Sequence, residues 1–415
     1  MTRVQRTSMR TVAPDPISPE GRLESIDILR GVALFGVLVV NLIGEFRVSI
    51  FQQFLPTNGP TSMPDRMVEM FVSMVLEMKA FALFSILFGI GLAVQYERLS
   101  RRGQAYYWLS RRLLVLLAFG LLHLLFLWNG DILTEYAIAG MLVLPFLIAP
   151  TGAIAAGFTC FLALYLAMPM MSLPIPWPDT EALQRHVADA NIAYGTGGAL
   201  DVWRFSIHEL HLLLPLHLWV LPRTIALFLL GMLTWRTGVM QRQEQHLRAF
   251  LVTGGIGVIV GATITVAGAV GVLSDWGAFG AALPNLATVV LAIGYGALVL
   301  ALVQLPVAGQ VLKVFAPLGR MAFSNYIMQS AIFGFIFFGY GLGYFGRLGA
   351  AHALLIGIAV YSVQVLFSDW WLARFRFGPL EWLWRTLMYG VKQPMRKPVI
   401  QSVLVNEIRL SMRDF

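Results

Sequence analysis

Ten stretches of this chain are apolar over lengths that match the hydrocarbon core of a bilayer. They fall near residues 28–44, 67–96, 113–129, 132–149, 152–171, 217–235, 249–272, 285–304, 321–341 and 351–371. In lipid no water satisfies the backbone, so a crossing segment must close its own hydrogen bonds as a helix or belong to a closed barrel. Runs of this length specify helices. Only 13% of the 415 residues are charged, about half the share usual in soluble domains. The expected class is all-α: a polytopic membrane helical bundle of about ten transmembrane helices.

Charge sets the expected orientation. An even number of crossings puts both termini on one side, and of the 30 basic residues all but Arg47, Arg66, Lys79, Arg185, Arg204, Arg223 and Arg347 fall on that side. An excess of Lys and Arg marks the cytoplasmic face, so both termini are expected in the cytoplasm. The net charge of +8 is dispersed between apolar runs, which suits an anionic membrane surface and argues against nucleic acid. Membrane lipids are therefore the expected surroundings.

Three regions follow. Residues 1–25 read as a basic cytoplasmic tail, 26–371 as the transmembrane bundle with an external loop at 172–216, and 372–415 as a cytoplasmic interfacial helix and tail. No A-x-A-like site follows the first apolar run, which is expected to remain as an uncleaved span. The second run carries Glu69, Glu77 and Lys79, so an interfacial helix to about residue 78 is expected to turn into a crossing from Phe81 to Tyr96. The run SIHELHLLLPLH reads as an amphipathic helix lying on the membrane before the sixth crossing, and FRFGPLEWLWRTLMYGVK as an interfacial anchor rich in Trp. Gly257-xxx-Gly261 suits close helix packing. Cys160, the lone cysteine, is expected to pack in the interior, as free cysteines commonly do.

The stretch RRLLVLLAFGLLHLLFLWNGD, Arg111 to Asp131, carries the most informative polar residue. His123 interrupts an apolar helix, and an ionisable group in such a place is by default a functional-site hypothesis. Arg112 precedes it by eleven residues, about three turns, so the two share a helix face roughly 16 Å apart. The first crossing repeats this offset from Arg30 to Asn41 and runs in the same direction. If the two polar faces meet, Arg30 and Arg112 form a cationic mouth at the cytoplasmic end and Asn41 meets His123 deeper in the membrane. Blander roles stand beside these: arginines at helix ends snorkel to the interface, His123 bonds a neighbouring helix, and Asn41 joins helices. Asp131 reads as the N-cap of the fourth crossing, as a carboxylate that orients His123, or as both.

Other polar residues give weaker signals. Glu77 and Lys79 mark the outer entry of the second crossing, where Lys79 is a candidate substrate contact. In GRMAFSNYIMQS, Asn325 and Gln329 share a face with Tyr326 beside them; they line a substrate cavity or bond between helices. His208, Glu209, His211 and His217 lack the i, i+4 histidine pair of zinc proteases and read as surface residues, so no metal is expected.

The stretches IDILRGVALFGVLVVN, MKAFALFSILFGIGL, HLLFLWNGDIL, GRMAFSNYIMQ and GPLEWLWR together resemble the YeiB-like family of bacterial inner-membrane proteins, over almost the whole chain. That family is in turn similar to the transmembrane acyltransferase superfamily, which includes the heparan glucosaminide N-acetyltransferase and sugar O-acyltransferases. The shared pattern is D-x-x-R-G with a polar residue eleven positions after the arginine, here Asp27, Arg30, Gly31 and Asn41. Many sugar O-acyltransferases have histidine where this chain has Asn41, and the loop GEFRVSIFQQF lacks the histidine of the heparan enzyme.

The resemblance implies a multi-pass protein of the bacterial inner (plasma) membrane that moves an acyl group from cytoplasmic acyl-coenzyme A to a small-molecule, glycan or lipid-linked acceptor. Arg30, Arg112 and neighbouring Arg111 would hold the coenzyme phosphates, which arginine matches in geometry. His123 would be the general base, assisted by Asp131, with Asn41 on the thioester or acceptor. A transporter or flippase that uses the same polar shaft, and a non-catalytic scaffold, are the alternatives.

Overall fold

Because each apolar run closes its own hydrogen bonds, the described residues are predominantly helical in a computed structural model. The structure describes residues 23–56, 62–101, 103–171 and 177–397. The basic tail before residue 23, Arg102, residues 172–176 of the proline-rich turn and the last 18 residues lie outside it. Among the described residues no strand forms, and one isolated bridge joins Phe375 to Arg396.

Eight helical stretches are long and apolar enough to cross a membrane, and two shorter apolar ones, Leu133–Leu147 and Ala322–Phe337, occupy the expected fourth and ninth positions. The chain is a multi-pass membrane protein. Helix α1 (Glu24–Asn41) runs into a π turn at Leu42–Phe46 and lies at the centre, with 83% of its apolar window buried. The corresponding share is 17% for α6 (Thr151–Ala167), which lies at the periphery. Cys160 is exposed on α6, against the expectation of an interior position; the run around it faces outward because α6 is a peripheral helix.

The long second run breaks where its charges predict. Helix α2 (Met63–Phe71) and a π turn end at Glu77, Met78 takes a left-handed backbone (φ 61°), and α3 (Lys79–Ser100) begins. Lys79 stabilises this break by donating from Nζ to the Ser73 carbonyl at 2.8 Å. Helices α4 (Ala105–Phe126) and α5 (Leu133–Val143) then form a hairpin.

Beyond α6, α7 (Thr180–Thr196) leads to α8 (Ala199–Arg236). The amphipathic stretch expected to lie flat on the membrane instead continues the sixth crossing as one 38-residue helix, through Pro215 and Pro222. At 1.5 Å per residue this is about 57 Å, longer than a bilayer core. Its first half is held by side chains: Glu209 accepts from Asn129 Nδ2 and Tyr194 Oη, both at 2.7 Å, and meets His186 Nε2 at 2.7 Å. That cluster ties α7 and α8 to the α4–α5 turn.

Helices α9 (Leu247–Ala269) and α10 (Gly277–Gln304) form a close pair. A Cβ placed on Gly257 would stand 3.0 Å from the Gly294 Cα, the backbone approach that small residues permit. Short helices α11 (Pro306–Leu312) and α12 (Ala316–Arg320) lead into α13 (Ala322–Phe337), α14 (Ala350–Arg374) and α15 (Pro379–Tyr389). Helix α13 packs on α1 and, through side chains, on α4.

Candidate functional site

Helix α4 ends just after His123, whose carbonyl accepts from both Leu127 and Trp128 N–H. This tight ending brings Asp131 back beside the imidazole. Asp131 divides its oxygens between two tasks: Oδ2 accepts from the Thr134 N–H at 2.6 Å and caps α5, while Oδ1 lies 2.8 Å from His123 Nδ1. An ionised carboxylate only accepts, so Nδ1 carries the proton and Nε2 is left as an acceptor. Nε2 is 2.9 Å from Ser330 Oγ on α13. The order Ser–His–Asp has the hydrogen-bond logic of an activated hydroxyl. All three side chains are buried, with relative exposures of 2%, 3% and 1% for Ser330, His123 and Asp131. The Tyr326 and Trp128 rings flank the imidazole at 5.3 and 6.1 Å.

Two cavities approach this cluster from opposite ends of α1. The first, about 290 Å³, is lined by Asp27, Arg30, Arg112, Arg320, Glu381 and Arg385 among others. Arg30 pairs with Asp27 at 3.5 Å. Arg112 stacks its guanidinium 3.8 Å over Trp384, whose Nε1 donates to the Arg112 carbonyl at 3.0 Å, and its Nε is buried with no hydrogen-bond partner. Glu381 accepts from the Ser324 N–H at 3.0 Å and from its hydroxyl. Burial raises the Glu381 carboxyl above its ordinary value, more than these hydrogen bonds lower it. Helix α15 therefore forms a wall of the cavity as well as packing at the bundle end.

The second cavity is larger, about 880 Å³, and is lined by Glu45, Glu77, Asp131, Glu135, His217 and Arg223 among others. Glu135 accepts from Thr224 Oγ1 at 2.6 Å and meets His217 Nδ1 at 3.0 Å. Arg223 is 3% exposed, and its Nε and Nη1 are buried without hydrogen-bond partners. Ile132 lines both cavities. Around it the first turn of α5 alternates: Asp131 and Glu135 face the second cavity, Leu133 and Tyr136 the first. Tyr136 closes the partition by donating to the Phe81 carbonyl at 3.0 Å, with Ser85 Oγ at 2.8 Å.

Of the residues expected from sequence, Arg30 and Arg112 line one cavity, and His123 and Asp131 make one hydrogen-bonded pair. Asn41 is buried with an unpartnered Oδ1, and the bonds of the imidazole go to Asp131 and α13 rather than to α1. Arg111 donates to the Leu387 carbonyl and clasps α15. Lys79 is committed to Ser73. Asn325 donates to Ser368 at 2.9 Å and Gln329 to Gln364 at 2.8 Å, so both amides join α13 to α14, while Tyr326 lines the first cavity. His208 and His211 are exposed, whereas His217 turns inward to Glu135.

Sequence reasoning passed over Ser330, Arg320, Arg385, Glu381, Glu45, Glu135 and Arg223 as site residues. Glu135 carried the same signal as His123, an ionisable group inside an apolar run, and Glu45 stands at the end of one. Ser330 carried none.

A family model described as a protein of unknown function, DUF418, matches residues 234–391. Over nearly its full length the chain is similar to the uncharacterized protein YxaH of Bacillus subtilis (strain 168), with 31% identity over 402 residues covering 92% of this chain and 98% of that one. It is similar to an uncharacterized 39.9 kDa protein in the amylase 3′ region of Bacillus acidopullulyticus, with 30% identity over 389 residues, 92% of this chain and 98% of the relative. It also matches the uncharacterized protein YeiB of Escherichia coli (strain K12), with 30% identity over 384 residues, 89% of this chain and 97% of YeiB.

Proposed function

The chain belongs to the YeiB-like family, and on that premise we propose that it is a membrane-bound acyltransferase of the bacterial inner membrane. It takes an acyl group from cytoplasmic acyl-coenzyme A and passes it to an acceptor held on the far side. One observation supports this above the others: a cation-lined cavity and a carboxylate-lined cavity adjoin at Ile132, next to the Asp131 that holds His123.

In this reading the cation-lined cavity faces the cytoplasm and receives the donor, its phosphates drawn to Arg30, Arg112, Arg320 and Arg385. The unpartnered Arg112 Nε fits an anionic oxygen. The volume suits the thioester arm, with the nucleotide at the mouth beside α15. The acceptor hydroxyl or amine attacks the thioester carbonyl carbon; the new C–O or C–N bond forms and the C–S bond breaks. The acceptor proton passes by way of the Ser330 hydroxyl to His123 Nε2 and then to the leaving thiolate, while Asp131 stabilises the imidazolium. A general base within hydrogen-bond reach of the proton it takes contributes about 10²–10⁴ in rate.

The test is thiol release from acyl-coenzyme A by the purified protein. Release that depends on His123 supports the reading, and equal release by His123→Ala ends it. The opposed cavities with a thin partition also suit a transporter that alternates access. Flux across sealed vesicles without consumption of acyl-coenzyme A would favour that reading instead.

A further inference from the structure

Arg223 poses a problem that the acyl-transfer chemistry leaves unsolved. A guanidinium inside a helical bundle is costly unless its charge and its N–H groups are matched. Arg223 lines the second cavity, yet two of its nitrogens have no hydrogen-bond partner. Its Cζ lies 5.9 Å from the Tyr165 ring centre, and Asn285, whose amide donates to the Tyr165 carbonyl, and Thr288 line the same cavity. The carboxylates that other groups already use are Glu135, taken by Thr224 and His217, and Asp131, taken by His123 and Thr134.

Glu45 and Glu77 present two more carboxylates to the same cavity. Glu45 lies against Gly130, where a Cβ would meet its Oε2, and so stands next to Asp131. The cavity thus presents both a cation without hydrogen-bond partners at Nε and Nη1, Arg223, and two carboxylates, Glu45 and Glu77, the former beside the Asp131 of the reacting pair. Its volume falls in the range of small-molecule sites.

We propose that the second cavity binds an amphoteric small molecule, its carboxylate or phosphate on Arg223 and its amine between Glu45 and Glu77. This rests on the second cavity being the acceptor site and names the acceptor's class: an amino compound that carries one anionic group. The anion completes the planar donor set of Arg223, and the amine lies on the Asp131 side, where the nucleophile is needed.

The test is equilibrium binding to the purified full-length protein in nanodiscs, followed by calorimetry. Phosphoethanolamine and 4-aminobutyrate carry the two anions, and ethanolamine and inorganic phosphate each remove one charge. Binding of at least one amphoteric probe is expected, with both single-charge probes about tenfold weaker or worse. Arg223→Gln is expected to weaken that probe about ten- to hundredfold, the loss of a charged hydrogen-bond pair, and Arg223→Lys to recover part of it. Glu45→Gln is expected to weaken the amphoteric probes and leave inorganic phosphate unchanged. Ethanolamine that binds as well as phosphoethanolamine, wild-type affinity in folded Arg223→Gln, or no amphoteric binding to the wild type overturns the proposal. Binding of coenzyme A at the other cavity is measured in parallel. If amphoteric binding persists while coenzyme A fails to bind, the acyl-transfer reading falls and the cavity assignment stands; the reverse result sinks only the latter.

Discussion

His123 Nδ1 and Asp131 Oδ1 lie 2.8 Å apart, joined across the turn that ends α4 and starts α5. Because Asp131 also caps α5, one carboxylate fixes both the tautomer of the imidazole and the start of the helix that separates the cavities.

Asp131→Asn keeps the shape of this link and changes its donors. An amide that turns its NH₂ toward Nδ1 favours the opposite tautomer, with the proton on Nε2 facing Ser330. Acyl transfer is expected to fall by about 10⁴, with the helical circular dichroism retained. Ser330→Ala leaves a buried Nε2 without a donor and is expected to cost about 1–3 kcal/mol of stability, read by thermal unfolding in detergent.

Arg112→Lys keeps the charge but loses the flat stack on Trp384, and a lysine at a stacked site is not a conservative change. The apparent KM for acyl-coenzyme A is expected to rise about tenfold with kcat little altered, and Arg112→Gln to raise it further. A fall in kcat alone would place Arg112 in the chemical step instead.

Glu381 gives a pH signature. Its carboxyl is raised in the folded protein, so between the ordinary carboxylate range and that raised value the folded state binds more protons than the unfolded one. Stability contributed here is full below the ordinary range and is lost as pH rises through the raised value. Glu381→Gln is expected to flatten the fall in melting temperature as pH rises above the ordinary carboxylate range. An unchanged slope would assign the pH dependence to other groups.

The crossing of α3 on α8 depends on Gly89 and Gly231. A Cβ on Gly89 would run into the Phe228 carbonyl, and one on Gly231 into the Ile86 carbonyl. Gly89→Val is expected to destabilise the protein by about 1–3 kcal/mol or more. Gly44→Ala, whose methyl group meets open space, serves as the control in the same unfolding experiment.

The crossings were legible because bilayer thickness sets the scale of an apolar run and no water is present to offer another backbone solution. The break at Met78 was legible for a related reason, since Glu77 and Lys79 could not be carried far into an apolar run. The His123–Asp131 pair was legible because eight residues that include a turn leave little freedom. Contacts between distant helices were not. Nothing in the spacing of α1 and α4 reveals that α13 supplies the partner of His123, or that Trp384 of α15 lies under Arg112. The repeated eleven-residue offset put Arg30 and Arg112 at one mouth, but it gave no reason for Asn41 to bond α4, because the intervening helix comes from the other end of the chain.

The shared position of Ile132 has a consequence for the cell. Where two cavities adjoin at one side chain, the barrier between them is that side chain and the Tyr136 bond rather than the thickness of the lipid. Ile132→Gly is expected to join the two cavities, read as ion leakage through the variant, and not the wild type, in sealed vesicles.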